Sequence, residues 1–364
     1  MVEKEGVILV TGSCGRLGAA IVKQLSSHYH MVGFELLKAF YASANEELVP
    51  CDLTSDESVT QALRHVRDFY GKKINSVIHL AAYYSFSKEH SDLYEKITVQ
   101  GTKRLLHGLR DFEVEQFIFS STMLVHAPCQ PGQKINEEWP LQPKWAYPKS
   151  KVKTEKVIHE ERGEIPTVIL RISGVYDDEC HSIPLSNQIQ RIYENQMNAH
   201  LFAGDLTHGS DYVHIQDLTD AVTQCVRLRK ELPSELVLLI GEGKTLSYGY
   251  LQRHISSLLF NKEFQTHSLP KSLAKFGAWI ENHTPFMKHE FIQPWMIDLA
   301  DDHYDLDISR AQLTLSWKPT RSLEKALVTI LNMLKHDPMA WYKKNGLHMS
   351  EAFKKRHENA LTNF

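Results

Sequence analysis

Short apolar runs alternate with amphipathic stretches over the first 80 residues, the pattern of repeated strand-helix-strand units and hence of a parallel sheet. Residues 6–10 predict a first strand, after which Leu17, Ala20, Ile21 and Leu25 recur at helical spacing. Residues 31–34 predict a second buried strand ending at Glu35, and Leu48-Val49 predicts a third just before Asp52. A helix over 55–70, capped by Ser55 or Thr54, leads to a fourth strand at 77–80. A polar helix over 92–109 precedes an apolar run at 116–119 that stops at Ser120-Ser121-Thr122. The next helix starts near Tyr147 with Pro148 in its first turn, where a missing N–H costs nothing, and residues 167–170 add another strand. Alternation fades from residue 178 and returns at 212–215 and 236–240, so the sheet is expected to be interrupted and then resumed.

The pattern therefore predicts an α/β protein with a doubly wound parallel sheet in residues 1–177 plus 211–242. A smaller, discontinuous lobe takes 178–210 plus 243–335, and 336–364 forms a basic helical tail. With 364 residues, 42% of them hydrophobic, there is ample material for a large core. A net charge of −3 argues against a protein built to coat nucleic acid or an anionic membrane. It divides into +3 on the last 30 residues (six Lys/Arg, three acids) and −6 on the rest, so the tail reads as a solvated helix. Five cysteines without a CxxC pair suit a reducing compartment. The N-terminus lacks a signal-peptide core and no apolar run reaches the roughly 18 residues of a membrane span, so a cytoplasmic location is expected.

The chemistry begins at Thr11-Gly12-Ser13-Cys14-Gly15-Arg16-Leu17-Gly18, between a predicted strand and a predicted helix. In that context Gly12 allows a tight turn, Gly15 lets backbone approach a pyrophosphate at the positive helix end, and Gly18 permits close helix–strand packing. Glu35, about 20 residues on, can accept hydrogen bonds from ribose hydroxyls and repel a 2′-phosphate, which favours NAD over NADP. Arg16 reads as a surface residue or a phosphate contact. Cys14 reads as a small spacer or, at a helix start, as a thiol of lowered pKa. Tyr147 and Lys151 are four apart and share a helix face; an ammonium there would make a phenol an effective acid/base near neutrality.

These residues resemble the extended short-chain dehydrogenase/reductases, the group of nucleotide-sugar epimerases and dehydratases and the 3β-hydroxysteroid dehydrogenases. The resemblance rests on the loop 11–18, Cys51-Asp52-Leu53, His79-Leu80-Ala81-Ala82, Val99-Gln100-Gly101-Thr102, Ser120-Ser121-Thr122, Tyr147-Pro148-Lys149-Ser150-Lys151, residues 171–176 and 211–217, and 307–319. It implies a Rossmann-type sheet and bound NAD. Asp52 would lie at the adenine and Ala81 and Ala82 along the nicotinamide half, with Leu53, Leu80, Gln100 and Ser120 among the cofactor residues. Thr122 would clamp the substrate oxygen, with Ser121 as the alternative. Tyr147 would be the acid/base and Lys151 its partner, and a homodimer would form through the helices near 92–109 and 147–162.

Departures narrow the substrate. Met123-Leu124 stands where 4,6-dehydratases carry Asp-Glu, which removes that elimination chemistry. Ser210 precedes Asp211-Tyr212-Val213 where epimerases usually place a diphosphate-binding arginine, unless Arg191 or Arg253 substitutes. Weight therefore moves to oxidation of a secondary alcohol on a less charged small molecule, with Trp279, Phe286, Phe291 and Trp295 as candidate lining. A nucleotide-sugar epimerase is the first alternative and a non-catalytic dinucleotide sensor the second. No metal is expected: residues 177–181 read as a polar loop, and Asp298, Asp301, Asp302, Asp305 and Asp307 as a solvated segment.

Overall fold

The computed structural model describes residues 4–36, 45–85, 91–274, 294–350 and 353. Seven strands make the central sheet: β1 (Val7–Thr11), β2 (His30–Glu35), β3 (Glu47–Pro50), β4 (Ser76–His79), β5 (Phe117–Thr122), β6 (Thr167–Ile172) and β7 (Glu235–Ile240). They lie in the order β3-β2-β1-β4-β5-β6-β7, every neighbour parallel. The chain starts in the middle, winds to one edge, returns and winds to the other. The reversal between β1 and β4 opens a crevice beyond the carboxyl ends of the strands, where such sheets bind ligands.

Helices cover both faces. On one, α1 (Arg16–Leu25) and α6 (Ile215–Arg227) bury Ile21, Val22, Val222 and Cys225 against Ile8 and Val10 of β1. On the other, α2 (Asp56–Tyr70) and α3 (Gln100–Leu109) bury Leu63, Leu105 and Leu106 against Leu9, Val32, Phe117 and Phe119. The helix α4 (Ala146–Glu161) runs beside α3. A third cluster joins Leu185 and Ile189 of α5 (Ile183–Tyr193), Leu251 and Ile255 of α7 (Tyr248–Phe260), and Leu327 and Ile330 of the helix Leu323–His336.

Four expectations are revised. The helix over 92–109 is a π-helical stretch, Tyr94–Val99, running into α3; the Thr102 hydroxyl donates to the Thr98 carbonyl (2.6 Å), a side-chain bond that competes with the regular ladder. The strand Tyr212–His214 lies outside the central sheet and pairs with Gly174–Tyr176, where a Cβ on Gly174 would sit 2.9 Å from the Tyr212 ring. The acidic segment is anchored: Lys144 bonds Asp302 (2.6 Å), Lys134 bonds Asp305 (3.1 Å) and Lys271 pairs with Asp301. The tail starts packed, since Trp341 and Tyr342 of the helix Pro338–Lys344 are buried and the Tyr342 hydroxyl donates to Glu194 (2.8 Å). Lys354, Lys355 and Arg356 lie outside the described residues. Among the described residues no helix is long and apolar enough to cross a membrane.

Candidate active site

At the end of β1 the chain turns at Gly12, whose φ of +72° suits glycine. Its N–H donates to the Phe34 carbonyl (3.0 Å), and the Gly15 N–H donates to the Gly12 carbonyl (3.1 Å). A Cβ on Gly18 would fall 2.3 Å from the Gly12 oxygen and 2.7 Å from Ser13 Cα, so α1 crosses the loop at a distance only glycine permits. The start of α1 carries no side-chain cap, which leaves its first N–H groups for an anion. Glu35 is held at the end of β2 by the N–H groups of Cys14 (3.2 Å) and Leu36 (3.0 Å). The buried Ser13 hydroxyl lacks a partner among the described residues. Glycine cradle, bare helix start, carboxylate and orphaned hydroxyl together fit a dinucleotide.

Around this loop the remaining cofactor candidates separate. Ala81 lies on it, 3.1 to 3.2 Å from where a Gly12 Cβ would stand, and the N–H groups of Leu80 and Ala81 donate to the Thr11 carbonyl and hydroxyl (3.2 Å each). Leu17 and Leu80 pack on the core beneath, and Ala82 follows, half-buried. Burial, with Glu35 and Glu46 adding to it, pushes the Cys14 thiol up, contrary to the lowered thiol entertained for a helix start. Arg16 sits on the rim, half-exposed, 3.6 Å from Asp177, which His181 bonds at 2.6 Å. Asp52 caps its own turn, accepting from the Thr54 N–H and hydroxyl (2.8 Å each). Leu53 packs on Gly101, where a Cβ would stand 2.9 Å from its own. The Gln100 amide donates to Glu95 (2.9 Å), and the Thr98 hydroxyl accepts from the Tyr83 N–H (3.0 Å).

Thr122 ends β5, buried, its hydroxyl accepting from the Leu124 N–H (3.3 Å). Tyr147 and Lys151 stand on the first turns of α4, and the Lys151 ammonium, 5.7 Å from the Tyr147 ring centre, donates to the Ser120 carbonyl (2.6 Å). Burial draws Lys151 down to about 7, with Glu155 opposing, and pushes the Tyr147 phenol above its ordinary value. A Tyr147 phenolate and a Lys151 ammonium would each favour the charged form of the other. Tyr84 meets Tyr147 edge-on (4.7 Å between centres), Trp145 flanks Tyr147 (5.4 Å) and Trp295 lies tilted against Trp145 (5.2 Å). Trp279, Phe286 and Phe291 lie outside the described residues.

Two buried networks support this surface. The Thr11 hydroxyl bonds His79 Nδ1 (2.7 Å) and His79 Nε2 bonds Thr102 (2.8 Å), whose hydroxyl proton is committed to Thr98. His79 therefore donates from Nε2 and accepts at Nδ1, a neutral ring, as burial implies by drawing it down to about 3. The Glu155 carboxylate accepts from Ser121 (2.5 Å) and from Arg171 (3.2 and 2.7 Å), tying β5, α4 and β6 together. Glu155 went unnoticed in the sequence, although it stands four residues after Lys151 and hence on the same face. Among the described residues no group of three His, Cys, Asp or Glu could hold a metal.

Fold and cradle together define a dinucleotide-dependent enzyme of the extended short-chain type. Residues 8–241 match the model of the NAD dependent epimerase/dehydratase family, and the chain belongs to that family. It is 29% identical over 362 residues to 3 beta-hydroxysteroid dehydrogenase type 7 of Mus musculus, covering 88% of this chain and 93% of that one. It is 25% identical over 351 residues to UDP-glucuronate 4-epimerase of Thermodesulfobacterium geofontis, covering 91% and 97%. Its fold matches that of a UDP-glucuronic acid 4-epimerase from Bacillus cereus, solved with UDP-glucuronic acid and NAD, with a TM-score of 0.68 at 20% identity over 91% and 99% of the two chains.

Proposed function

We propose that this NAD-dependent enzyme oxidises a secondary alcohol on a flat, weakly charged substrate of the hydroxysteroid type, or reduces the matching ketone. The observation that carries the reading is the wall of Tyr84, Trp145 and Trp295 around Tyr147, and in the sequence Ser210 offers no cation to a diphosphate. Similarity to the mouse steroid dehydrogenase supports it. Gly12, Gly15, Gly18 and Glu35 would hold NAD, and NAD, when bound, takes up the hydride.

The chain's own groups handle the proton. Thr122 hydrogen-bonds the substrate oxygen and aims it at Tyr147. The Tyr147 phenolate accepts the hydroxyl proton, and a protonated Lys151 supplies the positive charge that a buried phenolate requires. In reduction the same phenol gives the proton back. Incubating the protein and NAD with a panel of hydroxysteroids and following NADH absorbance tests the reading. If no steroid is oxidised while a UDP-sugar is epimerised, the substrate assignment is wrong.

A nucleotide-sugar epimerase is the second reading, supported by similarity to UDP-glucuronate 4-epimerase. Titration calorimetry with UDP-sugars decides it, micromolar binding favouring the sugar. A non-catalytic sensor would have no use for Tyr147 and Lys151 together. The division into a cofactor domain (1–177 plus 211–242), a substrate lobe (178–210 plus 243–335) and a tail belongs to the same proposal, as does a cytoplasmic setting, which the five unpaired cysteines support. A homodimer across α3 and α4 rests on the family resemblance. That face carries the ion pairs of Lys103, His107 and Arg110 with Glu161, so its contact would be polar, and sedimentation at low and high salt tests it.

A further inference from the structure

Resting on that reading, we infer that Glu155 is a positioning residue for the reaction: it is the counter-charge that keeps Lys151 an ammonium, and it ties the strand bearing Thr122 to the helix bearing Tyr147. Lys151 and Glu155 are one helical turn apart on the same face of α4, and both are buried, 2% and 8% exposed. Arg171, 6% exposed, reaches the same carboxylate from β6 with two N–H groups. The carboxylate thus has Arg171 in contact and Lys151 one helical turn away.

Among the described residues no other group around them can take that place. On the far side of Arg171, one N–H group meets His126 Nε2 (3.1 Å) and the Glu137 carbonyl (2.8 Å), both uncharged acceptors, because His126 donates from Nδ1 to the Trp139 carbonyl (2.9 Å) and is drawn down to about 4 by burial and Arg171. The Glu137 carboxylate is engaged elsewhere, by the Leu239 N–H (3.0 Å) and by Arg310 (3.4 Å). From β4 and β5, Lys151 meets the neutral His79, the Ser120 carbonyl and the Phe119 ring, and Tyr147 faces it as an uncharged phenol. Burial disfavours the ammonium, and the carboxylate one turn away is the charge that opposes this. Glu155 has a second effect, since its bond to Ser121 fixes the residue next to Thr122. The carboxylate therefore couples the charge of Lys151 to the position of the substrate clamp.

The test measures NADH affinity by fluorescence as a function of pH, where Lys151 would hold the nicotinamide ribose as an ammonium. Affinity should fall as pH rises through the Lys151 midpoint, and Lys151→Met should be flat. Glu155→Gln should move the midpoint acidward by about one unit or more. Because the neutral amide leaves Arg171 unbalanced and could weaken the fold, Glu155→Gln combined with Arg171→Gln removes one cation with the carboxylate. The midpoint of this double variant should return toward the wild-type value, which a merely structural role would not produce. If Lys151→Met is flat but Glu155→Gln keeps the wild-type midpoint, the inference is wrong. If Lys151→Met keeps the wild-type dependence, the role of Lys151 fails first and the inference falls with it.

Discussion

Asp217 carries a prediction that separates structural from chemical roles within the family motif at 211–217. Its carboxylate, 1% exposed at the start of α6, accepts from the Thr320 N–H (3.1 Å), the Arg321 N–H (2.9 Å), the Thr320 hydroxyl (2.8 Å) and the Arg321 guanidinium (2.9 Å). Its carbonyl accepts from the Trp317 indole (3.0 Å). One acid thus pins residues 317–321 to the sheet domain. Asp217→Ala leaves two backbone N–H groups without a partner, at roughly 1 to 3 kcal/mol each, for a loss of about 3 kcal/mol. With about 2.1 cal/mol/K per residue, the unfolding entropy of 364 residues is roughly 0.8 kcal/mol/K, so the midpoint should fall by about 4 °C. Asp217→Asn can turn its amide oxygen to the two N–H groups and lose only the Thr320 hydroxyl and the half-exposed Arg321, a fall of about 1 °C. Scanning calorimetry of the three proteins is the assay, with NADH affinity within about twofold throughout. An Ala variant within about 1 °C of wild type, or an Asn variant as damaged as Ala, would refute the reasoning.

Gly18→Ala drives a Cβ into the backbone of Gly12 and Ser13 and should weaken NADH binding at least tenfold in a fluorescence titration. Burial would push Glu115 up, but Arg229 and Lys73 outweigh it and hold the carboxyl at about 2. A lowered carboxyl contributes stability above its unfolded pKa of about 4.5 and loses it as pH falls through about 2. Glu115→Gln should therefore cost roughly 1 to 2 kcal/mol at pH 7 and much less near pH 2, read from urea midpoints. Trp295→Ala opens the aromatic wall and should raise the KM for an apolar alcohol about tenfold while leaving NADH affinity unchanged, by steady-state kinetics and titration.

The strands β1, β2, β4, β5 and β6 were legible because each is short, largely apolar and buried and bounded by turn residues, whereas the edge strand β3 shows only as Leu48-Val49. The glycine loop was legible because its spacing encodes steric contacts, and Gly12 and Gly18 now show which backbone atoms forbid a side chain. That Tyr147 and Lys151 share a face follows from helical spacing, and their roles follow from the family resemblance. The networks behind them do not: Glu155, Arg171 and His126 meet only because two strands, the segment after β5 and a helix converge, which no local periodicity records. The same reason hides the lysines that anchor Asp301, Asp302 and Asp305, since they come from three distant segments. Asp52 and Gln100 sit where the resemblance expects cofactor contacts; one Asp52 carboxylate oxygen accepts from Thr54 and the Gln100 amide nitrogen donates to Glu95.

The central claim is that Tyr147 exchanges the proton of a hydroxysteroid-type alcohol while NAD takes the hydride. Comparing wild type with Tyr147→Phe on the best-oxidised steroid, following NADH formation and titrating NADH separately, tests it most directly. In Tyr147→Phe, kcat should fall at least about 100-fold while NADH affinity stays within about twofold. Turnover that survives the loss of the phenol would contradict it.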